Sequence, residues 1–258
     1  MQSGRGGRSE TGGSAREFPS RRSTVHPTTH IQGYSVTRKH IVITGTGRSG
    51  TTFLVELLTH MGIETGFNGK DLEGLKDRIS HGGLELDIRS EDAPYVVKSP
   101  WFCDYAAEVL NRDDIIVEHV FIPIRDLSAA AESRRLVSKE HSTDLPLLKR
   151  LKLKSTMKSR PAAGGLWYTA SIRKGKQEEV LMNQIYKLLF ALSESHVPVT
   201  LLHYPKLVKD STYLYDKLKP VLGAISYDEF RKVYQETVRP DLVHSFNPND
   251  TLPPSKGS

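Results

Sequence analysis

The sequence predicts an α/β fold, a parallel β-sheet flanked by helices on both faces. Three observations carry this. Short apolar runs alternate with helix-like segments along most of the chain. The run His40–Ile43 passes through the glycine-rich turn Gly45-Thr46-Gly47-Arg48-Ser49-Gly50 into the helix-like Thr51–Leu58. A second apolar run, Glu118–Ile124, ends in Arg125-Asp126 before an alanine-rich segment.

In chain order, the first strand is expected over residues 41–44 and the first helix over 51–61. Residues 62–93 read as loop-rich, with a strand at 95–98 and a helix near 101–111. Next come a strand at 119–124 and a helix at 127–139, with Asp126 a natural N-cap. Residues 140–175 read as a mobile basic region, and within it the stretch from Lys149 to Arg160 carries Lys149, Arg150, Lys152, Lys154, Lys158 and Arg160 without an acid. A helix over about 177–195 should bury Val180, Leu181, Ile185, Leu188, Leu189 and Leu192 on one face. A strand at 198–203 and a helix at 211–222 complete the expected core. Ligands of such sheets bind beyond the strands' carboxyl ends. Arg48, Lys98, Arg125 and Tyr204 all follow such ends.

The chain has 258 residues, 37% of them apolar, enough for one α/β core. We expect one domain over 39–246 between disordered tails at 1–38 and 247–258. The first 40 residues carry seven Lys/Arg against Glu10 and Glu17, which is +5 of the net +6. That tail reads as a solvated extension, and no nucleic-acid partner is expected. No apolar run approaches the ~18 residues of a membrane span. The expected compartment is the cytoplasm, and the Arg- and Ser-rich start leaves organelle targeting open. Cys103 is the only cysteine, so no intrachain disulfide can form, and it is expected in the core. The ten histidines show no metal-binding pair, and no metal is expected.

The turn after the first strand is an anion site by construction. Its glycines let backbone approach a phosphate, and the following helix adds partial positive charge. Gly45–Thr52 has the spacing of a Walker A loop, with Thr51 where the lysine belongs. Gly45, Gly47 and Gly50 also satisfy the dinucleotide fingerprint, but residues 62–69 lack the apolar strand it requires next.

Arg48-Ser49-Gly50-Thr51-Thr52 resembles the 5′-phosphosulfate loop of sulfotransferases that use 3′-phosphoadenosine-5′-phosphosulfate (PAPS). Arg125 and Ser133, eight residues apart, resemble that family's 3′-phosphate clamp. Lys98-Ser99-Pro100 is similar to its Lys-Ser/Thr-Pro element, and the block from Tyr204 to Gly223 to a late strand–helix segment. The likeness spans roughly residues 40–225 and is closer to the bacterial, carbohydrate and tyrosylprotein types than to the cytosolic enzymes. Arg173-Lys174-Gly175 precedes the Tyr204 block, where the cytosolic enzymes carry that element after it, and no role is transferred.

The resemblance implies a P-loop nucleoside-triphosphate-hydrolase-like (sulfotransferase) fold. It implies PAPS held by Gly47, Arg48, Ser49, Gly50, Thr51, Thr52, Arg125 and Ser133. Arg48 and Lys98 would stabilise the departing phosphate. Among Asp71, Glu73, His81, Glu85 and Asp87, the candidate bases are Glu85 first and His81 second. The acceptor would be a small molecule or glycan offering a hydroxyl or an amine. A P-loop small-molecule kinase and a non-catalytic nucleotide-binding protein remain the alternative readings.

Overall fold

The computed structural model describes residues 37–76, 82–143 and 175–240. Its centre is a four-stranded sheet, all parallel, in the order β2-β1-β3-β4. The strands are β1 (Arg38–Ile43), β2 (Val96–Lys98), β3 (Ile115–Ile124) and β4 (Val199–His203). The helices are α1 (Thr51–His60), α2 (Leu72–Leu75), α3 (Phe102–Leu110), α4 (Leu127–Thr143), α5 (Lys176–Ser193), α6 (Ser211–Leu222) and α7 (Tyr227–Thr237).

The expected α/β class with a parallel, helix-flanked sheet is what the structure has. Alternation within the strands sorts side chains to two cores. Ile41, Ile43, Val96, Phe121 and Leu202 face α1, α6 and α7. Val42, Val97, Val120 and Ile122 face α3 and α5, with Cys103 buried among them. Each face burying full-size aliphatics explains why the strands read as continuous apolar runs.

Pro123 sits inside β3, where a missing N–H would ordinarily break a ladder. Here the even residues of β3 bond to β4, through Val120 N to Pro198 O and Tyr204 N to Ile124 O. The odd residues face β1, which ends with Thr44 N donating to Phe121 O. Pro123 therefore points past the end of β1, and a Cβ on Gly45 would lie only 3.2 Å from its carbonyl. The glycine loop begins where the proline ends the ladder.

Several boundaries differ from expectation. The 140–175 segment is helical at its start, because α4 runs to Thr143; residues 144–174 lie outside the described residues. The loop-rich 62–93 stretch contains the single turn α2. β3 starts four residues earlier than expected, at Ile115. On α5 the buried stripe is Gln177, Leu181, Gln184, Leu188 and Leu192, while Leu189 is 43% exposed. α7 was not anticipated. It starts with a capping box of Ser226 and Glu229 and buries Phe230, Tyr234 and Thr237, spaced four and three apart. Among the described residues no helix is long and apolar enough to cross a membrane.

Candidate functional site

The strand order reverses beside β1. The chain steps from β1 to β2 on one side, then returns across to β3 on the other. The crevice beyond β1 and β3 is therefore the topological switch point. The sheet order presents Lys98 at the end of β2, Arg48 after β1, Arg125 after β3 and Tyr204 after β4 along one edge.

The loop after β1 is set by left-handed backbone. Gly47 has φ 68°, Arg48 φ 58° and Gly50 φ 90°. For Arg48, the one non-glycine among them, this costs roughly 1–2 kcal/mol. Two neighbours hold it there. Arg125 Nη1 donates to the Arg48 carbonyl at 2.9 Å, and Arg48 Nε donates to Ser133 Oγ at 3.1 Å. A side chain at Gly50 would be strained at that φ and crowded, its Cβ 3.2 Å from Leu207 and 3.3 Å from the Tyr204 ring. Gly50 caps α1, whose first turn carries no acid and whose N-terminus has no side-chain cap. Those first N–H groups remain available to an anion.

The loop's polar atoms fit a phosphate group. Ser49 is fully buried, and its Oγ has no hydrogen-bond partner among the described residues. A buried hydroxyl in that state costs about 1–3 kcal/mol, which a bound oxyanion can offset. Thr51 opens α1 and is 6% exposed. The Thr52 hydroxyl accepts from Lys98 Nζ at 2.9 Å.

Arg125 follows the end of β3, and Ser133 lies on α4. They converge on Arg48 itself, so the expected clamp and the expected loop form one cluster. The Arg125 guanidinium also lies 4.8 Å from the centre of the Tyr204 ring. Burial lowers the pKa of Arg125 and raises that of Tyr204, whose phenol the nearby Arg125 and Arg48 draw back down. Asp126 caps α4 as expected, its Oδ1 accepting from Ala129 N at 2.8 Å.

Lys98 and Glu85 are brought together by two successive residues of positive φ, Gly83 at 127° and Leu84 at 64°. Lys98 Nζ donates to Glu85 Oε1 at 3.0 Å and to the Gly83 carbonyl. Gly83 N donates to the same carboxylate oxygen at 3.3 Å. Burial pushes the Lys98 pKa down; Glu85 draws it back up, and the charge of Arg48 pushes it down again. Of the other base candidates, Glu73 pairs with Lys76 and Asp87 with Arg89, Asp71 is exposed at the start of α2, and His81 lies outside the described residues.

One contributor escaped sequence reasoning. Arg134, next to Ser133, is fully buried and braces the loop from beneath, with Nη1 3.4 Å from the Thr46 carbonyl and 3.3 Å from Gln184 Oε1. The available signal was Gln184, a polar residue between Leu181 and Leu188 on the buried stripe of α5.

Fold and site together define an α/β protein with an all-parallel, helix-flanked sheet and a basic, glycine-rich loop at its switch point. No family model, no curated protein and no solved structure matches this chain.

Proposed function

We propose that this chain is a PAPS-dependent sulfotransferase of P-loop type, acting on a hydroxyl or amine of a small-molecule or glycan acceptor. The observation that carries the reading is the meeting of Arg48, Arg125 and Ser133 at the end of β1, beside the uncapped N-terminus of α1. A nucleotide bearing both a 5′- and a 3′-phosphate suits two arginines carried on adjacent strand ends. Bound PAPS would supply an activated sulfuryl group.

The chain's own residues do the rest. Backbone N–H groups of Ser49 to Thr52 and the hydroxyls of Ser49, Thr51 and Thr52 hold the 5′-phosphate. Arg48 and Lys98 would neutralise the negative charge of the departing phosphate. Arg125 and Ser133 hold the 3′-phosphate. Glu85 accepts the acceptor's proton, and the Lys98 contact fixes its carboxylate in place. His81 is the alternative base.

A kinase would need an acid at a strand end to hold magnesium. Asp126, the acid so placed, is engaged as the α4 cap. A non-catalytic nucleotide-binding protein remains the other alternative, and loss of turnover on replacing Glu85 or His81 would tell it from an enzyme.

The test is calorimetric binding of 3′-phosphoadenosine-5′-phosphate, ATP and NAD without magnesium, on wild type and Arg125→Ala. We expect selective binding of the bisphosphate that falls at least tenfold in the variant, as for a lost charged hydrogen bond of about 1.5–3 kcal/mol. Preference for ATP, or indifference to Arg125, refutes the assignment. Sulfuryl turnover from PAPS separates enzyme from binder.

A further inference from the structure

We infer that two copies of this chain associate through the β4 edge and the outer face of α5, forming one continuous eight-stranded sheet about a two-fold axis.

Three observations lead there. The first is a second apolar stripe on α5. Met182, Tyr186, Leu189 and Phe190 are 51%, 69%, 43% and 57% exposed and lie four, three and one residues apart on the helix side opposite its buried face. Tyr186 and Phe190 stack at 6.2 Å. A surface helix needs one apolar face, and α5 has two.

The second is β4. Among the described residues it pairs with β3 alone. Pro198 and Tyr204 direct their backbone groups to β3, so in a regular strand Val199 and Leu201 direct theirs outward. Their side chains are 38% and 50% exposed. Natural edges are blunted by charge, proline or cover, and Val199-Thr200-Leu201 has no charge and no proline.

The third is that both features share one face. Leu202 packs with α1, α6 and α7. Val199 and Leu201 must therefore point to the other face, where α3 and α5 lie.

A second copy satisfies all of this at once. With Thr200 opposite Thr200 of the partner, Val199 faces the partner's Leu201, and each such pair exchanges both of its N–H···O bonds. The pairing stops at His203, whose N–H already donates to Tyr213 Oη at 2.8 Å. A two-fold axis perpendicular to the sheet keeps equal faces together, so α5 meets its counterpart along the aromatic stripe. At roughly 150–250 Å² per aromatic, the six apolar residues leave on the order of 500 Å² uncovered. That is most of the ~800 Å² a stable partner contributes. An anionic lipid surface is a poorer fit. The exposed charges of α5 are Lys176 and Lys187 against Glu179, with exposed Glu194 just past its end, so no excess of cations flanks the stripe.

The test is sedimentation of the full chain at 1–100 µM. Wild type should reach twice the monomer mass within that range. Leu201→Lys with Phe190→Glu should remain monomeric at 100 µM and keep the wild-type circular dichroism. Leu75→Lys, an equally exposed leucine on α2, should dimerise as wild type does. Independently, amide exchange at Val199 and Leu201 of wild type should speed up at least tenfold on dilution from 100 to 1 µM, which decides the matter if the double variant fails to fold. A wild type that is monomeric at 100 µM, a double variant that still dimerises, or concentration-independent exchange overturns the proposal.

Discussion

Replacing Glu85 by Gln tests how the charges under the glycine loop are held. Lys98 Nζ and Glu85 Oε1 are 3.0 Å apart, with side chains 2% and 10% exposed. At an effective dielectric of about 20, the attraction at this separation is about 5 kcal/mol. Desolvation of both groups offsets much of it, so the pair as a whole adds little net stability. Breaking it is another matter. Gln keeps the shape and an acceptor oxygen but leaves the buried ammonium without a counter-charge, beside the Thr52 hydroxyl and the Gly83 carbonyl, and loss of one partner of a buried pair costs about 3–5 kcal/mol.

The deficit should depend on pH in a definite direction. Burial already holds Lys98 below its ordinary 10.5, and Glu85 is the main group drawing it back up. Without Glu85 the folded-state pKa falls further. The unfolded chain then binds more protons than the folded one from that lower pKa up to about 10.5, and stability rises with pH across the window. The gap between wild type and Glu85→Gln should narrow from pH 7 to pH 10. Urea unfolding followed by circular dichroism measures it, with Lys98→Met and the double variant closing a cycle. The double variant should recover at least about 2 kcal/mol relative to the sum of the single changes. A loss under about 1 kcal/mol at pH 7, an equal gap at both pH values or simple additivity would refute the reasoning.

Gly83→Ala should destabilise by more than about 1 kcal/mol, because its Cβ would stand 2.8 Å from the Leu75 carbonyl at φ 127°; urea midpoints report it. Asp210→Ala removes the α6 cap, a 2.9 Å bond from Tyr213 N, and should cost about 1 kcal/mol in the same assay. Burial lowers the pKa of His119, so below about 6.5 the unfolded state takes up protons that the folded state refuses, and stability falls with pH. His119→Gln should flatten the stability profile between pH 7 and pH 5; an unchanged slope there excludes the histidine as a source.

The alternation of elements was legible because β1, β2 and most of β3 are buried on both faces of the sheet and each neighbouring helix shows its own period. The glycine loop was legible for a related reason, since Gly45, Gly47 and Gly50 are the residues that positive φ selects. Arg48 at φ 58° was not, because its conformation is imposed by Arg125 and Ser133, 77 and 85 residues away. The Lys98–Glu85 pair was hidden likewise, since Leu84 breaks the glycine preference for positive φ. α7 could have been found from Ser226 and Glu229, which form a capping box ahead of Phe230 and Tyr234. The extra length of β3 stood in plain view as Ile115-Ile116-Val117.

Long-range order in the sheet also explains why the site is basic. Sequence separates Arg48, Lys98 and Arg125 widely, yet the strand order seats them on three neighbouring strand ends. Arg48 and Lys98 then repel, which is visible in the pKa of Lys98, displaced by Arg48 in the same direction as by burial. Arg125 turns its guanidinium to the Arg48 carbonyl and to the Tyr204 ring, both electron-rich acceptors. Crowded like charges are costly to the fold, and the loop adds a strained arginine and a buried, unsatisfied Ser49 hydroxyl to that cost. A multiply charged anion would relieve the first and the last of these, by screening the cations and engaging the hydroxyl, and would also meet the N-terminus of α1. Stability lost in holding these groups together could be recovered by binding an oxyanion, and this coupling is the physical argument behind the proposed phosphate site.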